Sequence, residues 1–291
     1  MRELRGKTVL LTGAAAGIGR QLTLQLAQQG CHLVLIDRDQ RGLADAASEA
    51  RSHGSEVQCY ECDLANAKQL QAVLQQVLQE AVVIDVLINN AGVAWYGPTH
   101  EMSQEQWNWL MAINLLAPIQ ITNALLPHLL TRPDAHIVNM CSISGLVAGG
   151  RFAAYHTSKF GLVGFTESLR AEYGRSGVGV SAICPGPVRT QLYASADKPK
   201  DGKDVPLPPA IVCAAPERVA TLTIRAIQRN RRMTLITPMA HSLFQLKRFF
   251  PGLLDAVSRF SRSGKKRRMQ RLRQEEQRLA ALTDSQQSRA A

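Results

Sequence analysis

Tyr155 and Lys159 are four residues apart in a stretch of helical period, so one helical turn places both side chains on the same face. A free tyrosine has a pKa near ~10 and is a poor base at neutral pH. A neighbouring ammonium favours the phenolate and eases proton transfer at the tyrosine oxygen. Ser142, which leaves a predicted strand earlier in the chain, supplies a hydroxyl. These three side chains are candidates for acid–base chemistry at one substrate oxygen.

A glycine-rich turn, Thr12–Gly19, joins the first predicted strand to a helix. Its three glycines permit a tight turn and bring backbone amides close to a pyrophosphate at the helix N-terminus. Asp37 ends the second predicted strand, where a carboxylate can accept hydrogen bonds from the adenosine ribose hydroxyls. The next residue, Arg38, could pair with a 2′-phosphate. The pattern predicts a dinucleotide site that favours NAD and leaves NADP open.

More polar residues follow the next two predicted strands. Asp63 comes after the third strand, and the segment 89–92 (Asn-Asn-Ala-Gly) after the fourth. In a parallel sheet the carboxyl ends of the strands share one edge, where such folds bind their ligands. Taken alone, Asp63 is equally a candidate helix cap or turn residue.

Short β-branched apolar runs alternate with segments of helical period, as parallel strands with crossover helices require. We therefore expect a Rossmann-like, doubly wound, seven-stranded parallel sheet in a single α/β domain. The predicted strands are Thr8–Thr12, His32–Asp37, Val57–Glu61, Val86–Asn89, His136–Cys141, Val178–Cys184 and Met233–Ile236. The clearest predicted helices are Ala67–Glu80, Gln104–Leu130, Tyr155–Tyr173 and Glu217–Arg229.

From about Lys7 to Ile236, the ordered motifs resemble those of the classical short-chain dehydrogenase/reductase family. Each motif is weak alone, but the set is specific: TGAAAGIG at 12–19, Asp63, NNAG at 89–92, Asn114, Ser142, YHTSK at 155–159 and PGPVRT at 185–190. The resemblance implies catalytic roles for Asn114, Ser142, Tyr155 and Lys159. It implies cofactor contacts by Gly13, Gly17, Ile18, Gly19, Asp37, Arg38, Asp63, Leu64, Asn90, Ala91, Gly92, Tyr155, Lys159, Pro185, Gly186, Val188 and Thr190.

The resemblance also implies an activity: NAD(P)-dependent interconversion of an alcohol and a ketone or aldehyde. Tyr155 would be the general acid/base, Ser142 would hold the substrate oxygen, and Lys159 would bind the nicotinamide ribose and lower the tyrosine pKa. Asn114 would sustain a water-linked proton relay. Ser144 competes with Ser142, but the interval from Ser142 to Tyr155 fits the family pattern better. Family members usually pair through the helices at 104–130 and 155–173, so we expect a homodimer or homotetramer.

Two other functions are compatible with this type of fold. A non-catalytic nucleotide-binding scaffold or regulator would use the same sheet, because fold alone does not establish activity. The presence of both Tyr155 and Lys159 argues against it. A nucleotide-sugar epimerase would need a larger C-terminal substrate domain than this chain has room for. A small-molecule alcohol or carbonyl remains the expected substrate, and Trp95, Tyr96 and Phe152 could form an apolar pocket for it or simply pack.

The chain carries a formal net charge of +11, concentrated at its C-terminal end. We expect the catalytic domain to span residues 1–239 and an amphipathic, basic, partly disordered extension to span 240–291. The Phe/Leu-rich start of the extension and its basic run, Lys265–Arg268, suit an anionic membrane surface. The extension could instead fold over the substrate loop, which we place at Pro185–Ala215. Nucleic acid ranks below both, because aromatic residues do not interleave with the basic run.

The six cysteines are scattered and indicate free thiols in a reducing cytoplasm, not a disulfide framework. Cys59 and Cys62 should point to opposite faces of a strand, so we predict no metal or redox site there. The start of the sequence lacks the apolar region of a secretory signal, and no run of ~18 apolar residues predicts a membrane-spanning helix. The expected location is cytoplasmic, with peripheral membrane association left open.

Overall fold

The computed structural model describes residues 1–80, 83–190, 192, 196–198, 205, 209 and 212–253. Within them the chain forms a seven-stranded sheet in the order β3-β2-β1-β4-β5-β6-β7, and every neighbouring pair is parallel. The strands are β1 Thr8–Thr12, β2 His32–Asp37, β3 Val57–Glu61, β4 Val86–Asn89, β5 Ala135–Met140, β6 Val178–Pro185 and β7 Met233–Ile236. The predicted Rossmann-like, doubly wound sheet is confirmed.

Helices flank the sheet in the described part of the chain. They are α1 Gly17–Gln28, α2 Gln40–Ser52, α3 Ala67–Gln79, α4 Gln104–Met111, α5 Ala117–Leu129, α6 Ala153–Tyr173, α7 Pro216–Gln228 and α8 Pro238–Phe249. A π-helical turn at Ala112–Leu116 joins α4 to α5 without a break, and a 3₁₀ turn at Ile143–Gly145 follows β5.

The strands are continuous apolar runs because helices cover both faces of the sheet. Side chains alternate along β1: Val9 and Leu11 point into one core cluster, and Leu10 points into the other. Each cluster lies between one face of the sheet and its helices, which makes the fold three layers thick.

The sheet order reverses between β1 and β4, which are neighbours although two strands separate them in sequence. Connections leave the carboxyl ends of these two strands in opposite directions, and this opens a crevice. The turn after β1 and the segment after β4 therefore face each other across the place where such folds bind ligands.

Two predicted boundaries around the catalytic segment were wrong by one or two residues. β5 runs from Ala135 to Met140 and not to Cys141, because the Cys141 amide turns back to donate to the Asn139 carbonyl, 2.9 Å away. Helix α6 begins at Ala153, before Tyr155, so the tyrosine lies inside the first turn and not at its start.

The chain divides into two units, residues 1–242 and 243–291, and the structure describes the second unit only as far as residue 253. The basic run Lys265–Arg268 lies outside the described residues, and the Phe/Leu-rich start of the extension is described only as far as residue 253. Most of the predicted substrate loop between Pro185 and Ala215 lies outside them as well.

One helix of the described residues, Gln104–Leu129, is long and apolar enough to cross a membrane by length and composition alone. A buried core helix meets the same criterion. Here Ile121, Leu125 and Leu129 on this helix are fully buried in the core cluster formed with β1, β4 and β5. Its apolar face therefore packs against the sheet.

Candidate functional site

The turn after β1 has the backbone that the glycine pattern predicts. Gly13 and Gly17 have φ angles of +69° and +54°, which only glycine adopts without strain. Gly19 is required for a different reason. A Cβ at this position would lie 1.7 Å from the Gly13 carbonyl oxygen, so only a hydrogen fits between the turn and α1. The turn thus presents bare backbone at the N-terminus of a helix, which is a suitable place for a phosphate.

Hydrogen bonds made by Thr12, at the end of β1, and Asn90, directly after β4, hold this turn against the segment that follows β4. The Asn90 amide donates to the carbonyl oxygens of Thr12 and Gly13, each at 3.1 Å. The Thr12 hydroxyl accepts from the backbone amides of Asn90 and Ala91 at 3.1 and 3.2 Å. These bonds hold the two sides of the crevice at a fixed distance.

The acidic residues at the strand ends also lie where the sequence predicts. Asp37 is half-buried, and its two carboxylate oxygens accept from the amides of Ala15 and Asp39 at 2.9 and 3.0 Å. Asp63 accepts from the Ala65 amide at 2.9 Å and is therefore a turn residue. It also lines the cavity that is described below. The cap of α3 is Asn66, so the helix-cap alternative for Asp63 is wrong.

The three acid–base candidates come together from two elements. Ser142 follows β5, and Tyr155 and Lys159 lie on the first two turns of α6; all three are less than a tenth exposed. The Lys159 Nζ lies 5.8 Å from the centroid of the Tyr155 ring and donates to the Met140 carbonyl at 2.8 Å. Burial lowers the pKa of Lys159 from its usual value. The ammonium group of Lys159 therefore lies in the protein interior, close to the Tyr155 ring.

Asn114 lies in the π-helical turn and is fully buried. Its side chain accepts from the Val93 amide and donates to the Val93 carbonyl, both at 2.8 Å. These are the two backbone hydrogen bonds that a neighbouring strand would otherwise make with the segment after β4. It also donates to the Ser158 hydroxyl at 3.2 Å, which in turn donates to the Tyr155 carbonyl at 2.8 Å. Asn114 therefore links the crevice to the helix that carries the tyrosine.

These residues surround one cavity of about 300 Å³. Every predicted cofactor or catalytic residue lines it except Gly19, which supports the turn from beneath, and Asn114, which acts from behind the wall. Ser142 lines the cavity and Ser144 does not. The sequence analysis did not anticipate several other lining residues, namely Ala16, Ile36, Cys62, Val93, Ile113, Met140, Cys141 and Leu192. All eight are apolar, four of them at strand ends, and no signal in the sequence distinguishes them from core residues.

His156, to which the sequence analysis assigned no role, holds the segment between Ser142 and Tyr155. Its Nε2 accepts from the Gly149 amide and its Nδ1 lies next to the Ser144 carbonyl, both at 2.9 Å. A ring that accepts at Nε2 must carry its proton at Nδ1, so one neutral tautomer satisfies both contacts. Nothing in the sequence distinguishes such a histidine from a surface one.

Aromatic side chains continue from Tyr155 on the side away from the glycine turn. The Phe152 ring centroid lies 6.1 Å from that of Tyr155 and 4.9 Å from that of Tyr96. The Arg151 guanidinium lies over Tyr96, 5.6 Å from its centroid. Trp95, in contrast, is 1% exposed and packs in the core, so only two of the three predicted pocket aromatics are partly accessible.

Both the motifs and the fold have counterparts among known proteins. A family model described as short chain dehydrogenase matches residues 7–201. The ketoacyl reductase HetN of Nostoc sp. is 33% identical over 248 residues, which cover 84% of this chain and 84% of HetN. The oxidoreductase UcpA of Salmonella typhimurium is 35% identical over 232 residues, which cover 79% of this chain and 84% of UcpA. The chain belongs to the short-chain dehydrogenase family, as its motifs predict.

Solved structures agree with this assignment. A short-chain dehydrogenase/reductase from Burkholderia phymatum, crystallised with NAD, superposes with a TM-score of 0.76 at 29% identity, covering 87% of this chain and 97% of that one. A short-chain dehydrogenase from Sphingobium yanoikuyae in complex with NADPH gives a TM-score of 0.74 at 28% identity, covering 86% and 95%. The protein is thus an oxidoreductase by family.

Proposed function

We propose that this protein is an NAD(P)-dependent oxidoreductase that interconverts an alcohol and a ketone or aldehyde. One observation carries the proposal: Ser142, Tyr155 and Lys159 line the same cavity as the glycine turn and Asp37. The Tyr155 hydroxyl, which can transfer a proton, therefore lies in the same cavity as the glycine turn, whose backbone suits a phosphate.

The cavity fits a nicotinamide dinucleotide. A Cβ on Gly13 would lie 2.8 Å from the Ala91 Cα, so this position has no room for a side chain, and the backbone amides of the turn would be left for a pyrophosphate. Asp37 is positioned for the adenosine ribose, and Pro185, Gly186, Val188 and Thr190 line the part of the cavity that follows β6. When bound, the nicotinamide would donate or accept a hydride at the substrate carbon.

The chain's own residues would manage the proton and the charge. In reduction the substrate oxygen gains alkoxide character, which needs a proton donor and a hydrogen-bond donor at the same atom. Tyr155 would supply the proton and Ser142 the hydrogen bond; in oxidation Tyr155 would take the proton back. The Lys159 ammonium stabilises the phenolate in either direction. Lys159 would also bind the nicotinamide ribose.

The Asp37 carboxylate favours NAD over NADP. Its oxygens already bond to two backbone amides, which fix the carboxylate at the end of β2. A fixed negative charge there repels a 2′-phosphate, whereas ribose hydroxyls can donate to it. Arg38 lines the same part of the cavity and would moderate this preference.

The aromatic row favours a lipophilic substrate. Tyr155 lines the cavity, and the rings of Phe152 and Tyr96 continue from it in a row of contacts. Val93 and Leu192, which also line the cavity, pack against the cluster of Tyr155 and Phe152. A polar substrate would gain few hydrogen bonds from these side chains, whereas an aliphatic or ring-containing alcohol would bury apolar surface against them.

We further propose that the protein pairs with a second copy through the surface of α5 and α6. Leu116, the last residue of the π-helical turn before α5, and Phe160, on α6, are 48% and 37% exposed. Apolar side chains of this size on adjoining helices are typical of a surface that associates.

The proposal is tested by titrating purified protein with NADH and NADPH and following the nucleotide fluorescence. A turnover screen of long-chain, steroid and retinoid alcohols and ketones follows. Tyr155→Phe should keep nucleotide affinity within about twofold and lose at least ~10²-fold in turnover, because the proton donor is removed. Tyr173→Phe, at the far end of the same helix, is the matched control and should behave as wild type.

Failure of folded protein to bind either nucleotide would refute the oxidoreductase proposal. Binding with no turnover of any substrate in wild type would favour the non-catalytic scaffold. Equal turnover by the Tyr155→Phe variant would show that another group transfers the proton.

A further inference from the structure

Two cysteines lie beneath the catalytic serine at the ends of neighbouring strands. Met140, the last residue of β5, pairs with Ile183 of β6. Cys141 follows Met140, and Cys184 follows Ile183. Neighbouring strands lie about 4.8 Å apart. That spacing falls within the roughly 4.4–6.8 Å range of Cα separations that disulfides span.

The two side chains occupy the same part of the interior. Both belong to one buried cluster with Leu162, Val163 and Ala182, and they are 3% and 0% exposed. In the strand register the two residues lie side by side, and both side chains lie in the buried cluster on the same face of the sheet.

The pair is chemically unequal. Burial opposes ionisation of Cys141, but the hydrogen bond from Cys184 and the nearby Lys159 ammonium outweigh it and lower the pKa of Cys141. The hydrogen bond to Cys141, together with burial, raises the pKa of Cys184. Cys141 is therefore the better thiolate and the nucleophile of the pair.

Cys141 is also the member of the pair that a small reagent can reach. It lines the cavity between Met140 and Ser142, whereas Cys184 does not. Cys62 lines the cavity too, but burial, and to a smaller extent Asp63, raise its thiol pKa to about 11. Access from the cavity and a favoured thiolate therefore coincide at Cys141.

We propose that Cys141 and Cys184 are an oxidisable thiol pair, which a hydroperoxide entering the empty cavity converts to a disulfide and which bound nucleotide protects. The Cys141 thiolate attacks one peroxide oxygen, the O–O bond breaks, and the leaving hydroxide takes the thiol proton as water. Cys184 then attacks the sulfenic sulfur and releases a second water. Two thiols are oxidised and one peroxide is reduced. Only the protection depends on the proposed function, because it requires a nucleotide in the cavity.

The test uses full-length protein carrying Cys59→Ser and Cys213→Ser, which remove an exposed and a half-exposed thiol. Nucleotide-free protein is treated with hydrogen peroxide, quenched, alkylated with a maleimide in denaturant, and analysed by intact mass and peptide mapping. We expect two fewer maleimide additions and a peptide cross-linked through Cys141 and Cys184. Saturating NADH should slow the reaction at least ~5-fold.

Two variants sharpen the result. With Cys184→Ala, Cys141 should stop at the sulfenic acid and be trapped by dimedone. With Cys62→Ala, the yield of cross-link should be unchanged. Full alkylation of both cysteines after peroxide, or a cross-link elsewhere, overturns the proposal. So does equal oxidation in the presence of NADH that fluorescence shows to be bound. Absence of NADH binding would count against the proposed function alone, since nucleotide-free protein decides the cross-link.

Discussion

His136 should make the stability of this domain depend steeply on pH. It lies on β5, is 1% exposed, and places its Nε2 2.9 Å from the Ser181 hydroxyl. That hydroxyl donates to the Arg231 carbonyl, so it accepts from Nε2–H, and the neutral ring satisfies this contact without a second proton. The space is tight: a Cβ on Gly179, its partner on β6, would lie 2.3 Å from the ring Nδ1. A positive charge on this ring would therefore be almost completely buried.

The sign and size of the effect follow from the pKa. Burial lowers the pKa of His136 from 6.5 to about 3, and the positive N-terminus and Arg170 act in the same direction. Below pH 6.5 the unfolded chain therefore takes up a proton that the folded protein refuses. Stability is complete above that pH and falls until about pH 3. The loss is about 2 kcal/mol between pH 7 and 5, and about 5 kcal/mol in all.

The assay is urea unfolding followed by tryptophan fluorescence at pH 7, 6 and 5 and fixed protein concentration. His136→Gln should be less stable at pH 7 but should lose about 2 kcal/mol less than wild type on going to pH 5. His53→Gln, at an exposed position, is the control and should follow wild type. Parallel pH profiles for wild type and His136→Gln would refute the argument, because they would mean that the folded protein accepts the proton.

Three further variants probe the site and its surroundings. Gly19→Ala should weaken NADH affinity at least ~10-fold, since its Cβ would lie 1.7 Å from a turn carbonyl; Gly164→Ala, with open space, should not. Asn114→Ala should cost about 2 kcal/mol in urea unfolding, because it removes the partner of the half-buried amide and carbonyl of Val93. A loss below ~0.5 kcal/mol would contradict this. Phe160→Asp should lower the mass measured by light scattering if α6 pairs with a second copy; an unchanged mass would exclude that surface.

The sheet could be predicted because each strand carries its own signal. Apolar β-branched runs bounded by helical segments indicate both the strands and their parallel direction. Five of the seven predicted strands have the bounds found in the structure, and the other two, β5 and β6, differ by one residue at both ends and at one end, respectively. The end of β5 could not be predicted in this way. Cys141 continues the apolar pattern, but its amide bonds back to Asn139, a local choice that sequence periodicity does not express.

The site residues could be predicted from the sequence where the backbone requires a particular residue type or where a charged residue stands at a strand end. Gly13 and Asp37 are of this kind. His156 is not, because its role depends on two backbone groups of a loop whose path the sequence does not indicate. Trp95 shows another limit: the sequence left open whether this aromatic residue lines a pocket or packs, and the structure buries its ring in the core.

The fixed crevice explains how motifs far apart in sequence act on one cavity. Asn90 bonds the segment after β4 to the glycine turn, and three residues later Val93 is bonded on both backbone groups by Asn114. Asn114 reaches α6 through Ser158, one residue before Lys159. This chain of hydrogen bonds crosses the sheet at the reversal between β1 and β4. The distance from the glycine turn to the part of α6 that carries Tyr155 is therefore set by β4 and the π-helical turn. A change at Asn114 should therefore disturb both ends of the cavity, whereas a change at Asp37 should alter nucleotide choice alone.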